Sequence, residues 1–221
     1  MPARIGVNWA LALQSLPYLL KGVASTAALA AAVLVLGTAG GLIVGLLRFV
    51  PSRIVTMTVT WAVELVRAVP LLLLIFFIFF GLPAVGVRIP TFPAAVLAMT
   101  LWMAANTSEV VRGGIQSVPR GQGEAAASLG LTWLQAMRHV ILPQAIRRML
   151  PPYIGLCTIL VKDTSLAAII GVFELTRAAQ ETIERTLRSF ELYLSAAAIY
   201  FLLCFPLTRW SRRAEIALER P

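Results

Sequence analysis

Lys162 and Asp163 stand side by side within the otherwise uncharged run 149–173, and the polar Thr164 and Ser165 follow at once. An ionisable side chain inside a long apolar stretch costs about 3 kcal/mol or more, so such groups face a protein interior or a watery route rather than lipid. A helix that breaks at this point would also offer backbone groups to a polar solute. The alternative use of the same pair is a salt bridge that holds helices together. Glu64 and Arg67 are three residues apart, on one helical face, and precede Pro70, whose missing N–H predicts a kink. That pair reads as either a gate or a structural bridge. Asn106 is a further polar candidate for lining a cavity.

These groups can handle a polar solute; they do not suggest bond-making chemistry. His139, the only histidine, sits beside Arg138 in a polar stretch, which leaves no base for a serine nucleophile and no metal-ligand spacing. Cys157 and Cys204 both fall in apolar segments and read as packing residues. The only lysines, Lys21 and Lys162, follow no glycine-rich phosphate loop. No catalytic residue, no metal site and no cofactor bound by this chain are expected.

Composition determines what kind of scaffold holds these residues. Of 221 residues, 59% are hydrophobic and 13% charged, which excludes an ordinary water-soluble globule. The net charge of +9 does not indicate nucleic acid, because the basic residues lie between long apolar runs and not on one stripe with interleaved aromatics. A bilayer span needs about 20 residues. The spacing of charges predicts five spans, at about 22–47, 64–87, 89–111, 149–173 and 192–208, in a single all-α transmembrane domain over 1–221. The first apolar run is too long, and starts too late, for a cleaved signal peptide, so it is expected to stay in the protein.

Five spans put the termini on opposite sides. With the N-terminus outside, eleven basic residues are cytoplasmic (Arg48, Arg53, Arg112, Arg120, Arg138, Arg147, Arg148, Arg209, Arg212, Arg213 and Arg220) against six outside (Arg4, Lys21, Arg88, Arg177, Arg185 and Arg188). The excess of inner Lys and Arg predicts N-out, C-in. In the first span Gly37, Gly41 and Gly45 recur every fourth residue, a small face for close helix packing. Two polar regions interrupt the apolar text. The outer one, about 174–191, predicts a short interfacial helix with solvated charges. The inner one, 116–143, predicts a helix over Gly121–Leu129, a turn at Gly130, and a second helix capped by Thr132 that ends before Pro143.

Glu124-Ala125-Ala126, Gly130 four positions later, and Leu142-Pro143 resemble the EAA signature of ABC importer permeases, with Val140 where the family usually has Ile. Glu64-Leu65-Val66-Arg67 with Pro70, the run from Glu109 to Pro119, and Lys162-Asp163-Thr164-Ser165-Leu166 are similar to the polar amino-acid branch, the histidine, glutamine and glutamate permeases. The resemblance runs from about Leu16 to Arg213. It departs at Ala68-Val69, where Gly-Thr is common, and at Asn106, where an aromatic is common; both bear on substrate preference.

The resemblance implies a type I importer permease fold in the bacterial inner membrane. It implies as partners two ABC ATPase subunits, which bind ATP and Mg2+, a second permease that is the same chain or a sister, and an external solute-binding protein. It implies a polar amino acid, or another small zwitterionic compound, as the solute; Lys162 and Asp163 would offer it one charge of each sign. The 116–143 pair, with Glu124, Ala125, Ala126, Gly130, Leu142 and Pro143, would be the element gripped by the ATPase. A lone channel or proton-driven carrier fits less well, since the sequence has no obvious repeat of spans and no chain of intramembrane acids. An intramembrane enzyme lacks its constellation.

Overall fold

The computed structural model describes residues 9–219; Arg4 and Arg220, counted above for orientation, lie outside them. Among the described residues every regular element is helical. The chain runs through α1 (Trp9–Leu47), α2 (Arg53–Ala68), α3 (Leu71–Phe76), a π-turn (Phe77–Gly81), α4 (Leu82–Ala84) and α5 (Thr91–Gln116). It continues through α6 (Arg120–Ser128), α7 (Trp133–Ala136), a π-turn (Met137–Ile141), α8 (Leu142–Asp163), a 3-10 helix (Thr164–Ile170), α9 (Leu175–Thr186) and α10 (Ser189–Glu219). Four helices are long and apolar enough to cross a membrane, and the bent pair α2 with α3–α4 brings the number to five if it counts as one span.

The central contact is α1 against α5. A Cβ on Gly37 would stand 2.6 Å from Met103, one on Gly45 would stand 2.7 Å from Val111, and Gly41 lies directly on Thr107. Side chains there would force the helices apart, so the glycine spacing sets the approach. The same stripe extends to Gly22, which backs onto Leu175 and Ala178 of α9. Around this seam Leu29, Val33, Ile75, Met99, Met103 and Leu160 form the main core. Much of the outer surface remains apolar, including Val35, Ile43, Phe77, Phe80, Phe201 and Leu202. In water such a surface would drive aggregation; in lipid it is a solvent-matched exterior.

Gly22 meets α9, whereas Ile43, Leu46 and Leu47 line one apolar pocket with Trp133 and Leu134 of α7. At 1.5 Å per residue these two places lie about 36 Å apart along α1, so α9 and the α6–α7 pair occupy opposite ends of the bundle.

Several boundaries differ from the sequence reading. The first helix is already formed at Trp9, the first described residue and well before residue 22, and it absorbs Pro17. The stretch 64–87 is not one helix: Val69 is extended (φ −91°, ψ 128°), as the residue before a proline prefers, and α2 turns by 99° from the segment that follows. The second coupling helix does not end before Pro143. The π-turn lets the Leu142 N–H reach the Met137 carbonyl, and Pro143 then falls in the first turn of α8, where its missing N–H costs little. The charges of 174–191 are not all solvated either. Glu174 is fully buried and Glu191 nearly so. Glu174 caps α9, accepting from the Arg177 N–H and the Tyr200 hydroxyl, each at 2.7 Å. Thr26 of α1 accepts the Leu175 N–H at 3.1 Å and ties the cap to the bundle. On the exposed flank of α9, the Tyr18 hydroxyl and then Arg177 hold the Glu181 carboxyl below its usual range.

Candidate functional site

Toward the α6–α7 end, α5 and α8 enclose a mostly apolar cavity into which a few polar side chains project. On α5, Asn106, Glu109, Gly113 and Ser117 recur at helical spacing; on α8, Arg148, Pro152, Gly155 and Ile159 do the same. With Arg67 from α2 they line a cavity of about 580 Å³ that opens to one side of the bundle. A Cβ on Gly113 or Gly155 would meet nothing within 4 Å, so these glycines leave volume free instead of admitting a neighbouring helix. The size suits a small organic solute.

The charge at the site is organised by Glu109. Its Oε2 accepts from Arg48 Nη1 at 2.9 Å, and its Oε1 accepts from Arg112 Nε at 2.9 Å. Arg67 Nη1 lies 3.5 Å from Oε2 and also pairs with Glu64 at 3.1 Å. Three elements therefore converge on one carboxylate: the end of α1, α2 and α5. Arg48 is the most enclosed member, its side chain 5% exposed. Asn106 donates its amide N–H to the Trp102 carbonyl at 2.9 Å, which leaves the amide oxygen as its acceptor.

Of the residues singled out from sequence, the structure brings Arg67 and Asn106 to this cavity and places Glu64 beside Arg67. Lys162 lies elsewhere, exposed on a neighbouring groove with Thr208, Ser211 and Arg212 of α10. Asp163 and Ser165 are half-buried, and Thr164 is fully buried with its hydroxyl donating to the Val161 carbonyl at 2.8 Å. Lys162 and Asp163 close α8, beyond the stretch 148–159 that lines the cavity, and Thr164 and Ser165 open the 3-10 helix that follows. Glu109, Arg48 and Arg148 were not singled out, although Glu109 is the only acid in α5 and Arg48 directly follows a glycine-spaced helix face; an unpaired charge at each span end was the available signal.

The 116–143 region forms a compact pair. Helix α6 closes with a Schellman motif, Leu131 N–H to the Ala126 carbonyl at 3.1 Å and Gly130 N–H to the Ala127 carbonyl at 2.9 Å. Gly130 takes φ 78°, a left-handed conformation that favours glycine, and open space surrounds it. Thr132 and Gln135 form a capping box that starts α7. Ala126 is buried, while Glu124 and Ala125 are exposed, as are Leu129 and Leu134. Leu142 and Pro143 open α8 directly behind the pair.

The sequence pattern described as binding-protein-dependent transport system inner membrane component matches residues 37–216. The chain is 37% identical over 219 residues to the glutamine transport system permease protein GlnP of Escherichia coli (strain K12), spanning 95% of this chain and 98% of that protein. It is 38% identical over 216 residues to the L-cystine transport system permease protein TcyB of Bacillus subtilis (strain 168), spanning 97% and 92%. A crystal structure of an amino acid ABC transporter with histidines superposes with a TM-score of 0.91 at 32% identity, over 96% of this chain and all of that one.

Proposed function

We infer, from the premise that the chain belongs to the family of binding-protein-dependent transport system inner membrane components, that it is the membrane-spanning permease subunit of an ABC importer for amino acids. It is a non-enzymatic, multi-pass component of the inner membrane; ATP hydrolysis belongs to a separate subunit, and an external binding protein delivers the solute. The observation that carries the reading is the cavity into which Arg67, Asn106 and Glu109 project, in a bundle whose exposed surface includes many large apolar side chains. Intramembrane charge of this kind is costly unless a polar solute or water shares the space.

In this reading the cavity is part of the solute's route, with Arg67 and Asn106 on its wall and Glu64 steadying Arg67. Lys162, with Asp163, Thr164 and Ser165 behind it, serves as a second polar station on the adjoining groove. The α6–α7 pair, through Glu124, Ala125, Ala126 and Gly130, is the surface that receives the ATPase's motion, and its direct continuation into α8 at Leu142 and Pro143 carries that motion to the cavity wall. Two ATPase subunits, each with ATP and Mg2+, and a second permease, identical or sister, complete the assembly. The solute is a polar amino acid or a related small zwitterion; the relatives above handle glutamine and cystine by name. The N-terminus lies outside and the C-terminus in the cytoplasm, as the charge asymmetry favours.

Co-purified with its ATPase and binding protein and placed in lipid, the chain is expected to support ATP hydrolysis stimulated by a subset of polar amino acids. Stimulation by none of them would defeat the reading. Reporter fusions decide orientation separately: one near Gln122 is expected to read cytoplasmic and one near Arg88 external.

A further inference from the structure

The guanidinium groups around the cavity outnumber the carboxylates. Four arginines, Arg48, Arg67, Arg112 and Arg148, meet two acids, Glu64 and Glu109. Both oxygens of Glu109 are already engaged, Oε2 by Arg48 at 2.9 Å and Oε1 by Arg112 at 2.9 Å. Glu64 is held by Arg67 at 3.1 Å and lies outside the lining. Arg148, exposed at the mouth of the cavity, donates to the Ser117 carbonyl, a neutral acceptor, and among the described residues pairs with no carboxylate.

We propose that this cavity selects amino acids with a second anionic group and discriminates against those with a cationic side chain. The proposal rests on reading the cavity as part of the solute's route. A ligand's carboxylate can meet the guanidinium of Arg148, and a second can share that of Arg67, whose pair with Glu64 is partly exposed and whose distance to Glu109 is 3.5 Å. Its ammonium finds no free carboxylate, since Glu109 is saturated; the neutral amide oxygen of Asn106 is the acceptor left for it. A dicarboxylic amino acid therefore matches the excess positive charge. An amino acid with a cationic side chain brings a further positive charge into a partly enclosed site where screening is weaker than in water. The preference belongs to this chain alone and adds to whatever the binding protein selects.

The test uses the permease with its ATPase subunits in lipid nanodiscs, without binding protein, and measures equilibrium binding of L-glutamate, L-glutamine and L-arginine. Glutamate is expected to bind about tenfold or more tightly than arginine, with an advantage that shrinks as salt rises. Arg148→Gln is expected to erase most of that advantage, and Arg148→Lys, which keeps the charge, to retain it. Arginine binding as tightly as glutamate, or a preference that Arg148→Gln leaves untouched in folded protein, would overturn the proposal while leaving the cavity as a route. Saturable binding of none of the three would overturn the route reading itself, and the proposal with it.

Discussion

Replacing Glu109 by Gln removes the one carboxylate on which α1, α2 and α5 converge. The largest consequence falls on Arg48, whose side chain is 5% exposed and whose Nε, among the described residues, has no hydrogen-bond partner. Breaking a buried pair from one side costs about 3–5 kcal/mol, because the remaining charge is stranded. The Gln amide oxygen can still accept from Arg48, and Glu109 itself is 22% exposed, so the low end, about 3 kcal/mol, applies. Arg67 and Arg112 are 31% and 34% exposed and can turn to water, which limits their share to under about 1 kcal/mol each. Thermal unfolding of the purified complex should therefore show a clear loss for Glu109→Gln. Adding Arg48→Met should restore more than half of that loss, since an apolar side chain of similar length no longer needs a counter-charge. Losses that simply add in the double variant would refute the reasoning, because they would mean that Arg48 and Glu109 act independently.

Gly41→Leu should cost about 1–3 kcal/mol by forcing α1 off Thr107 and should lower the yield of folded protein. Gly40→Ala should be harmless, since its Cβ would meet Ala104 at an ordinary 3.5 Å. Gly155→Leu puts a side chain into cavity space, where its Cβ meets nothing within 4 Å, so uptake should fall sharply while yield and unfolding temperature change little. Gly130→Val forces a branched side chain into φ 78°, at about 1–2 kcal/mol, and should uncouple ATP hydrolysis from uptake; Gly130→Asn, which tolerates that conformation, should keep most of the coupling.

The glycine seam was legible because a period of four is a local property of α1, and Gly37, Gly41 and Gly45 can be read off one strip of text. The α6–α7 turn was legible for the same reason: Gly130 and Thr132 carry their turn and cap in their own side chains. What the sequence hid was pairing at a distance. Arg48 and Glu109 are 61 positions apart, and nothing local marks Glu109 as the shared partner of three arginines. Glu174 misled the charge reading because a buried N-cap and a solvated acid look alike in sequence; the Tyr200 hydroxyl that satisfies it lies on another helix. Lys162 and Asp163 stand out through their setting in apolar text, but they close α8 beyond the stretch 148–159 that lines the cavity, and where along a helix a cavity lies depends on tertiary packing.

The proposed function is conduction of an amino acid through the Arg67–Asn106–Glu109 cavity under power from a separate ATPase. Its most direct test is uptake of radiolabelled amino acid by proteoliposomes that hold the permease and its ATPase, with binding protein supplied outside and ATP inside. The account predicts concentrative uptake that requires all of these components and is lost in Gly155→Leu although that variant still assembles with the ATPase. Uptake that proceeds without the ATPase, or that is undiminished when Gly155→Leu obstructs the cavity, would contradict it.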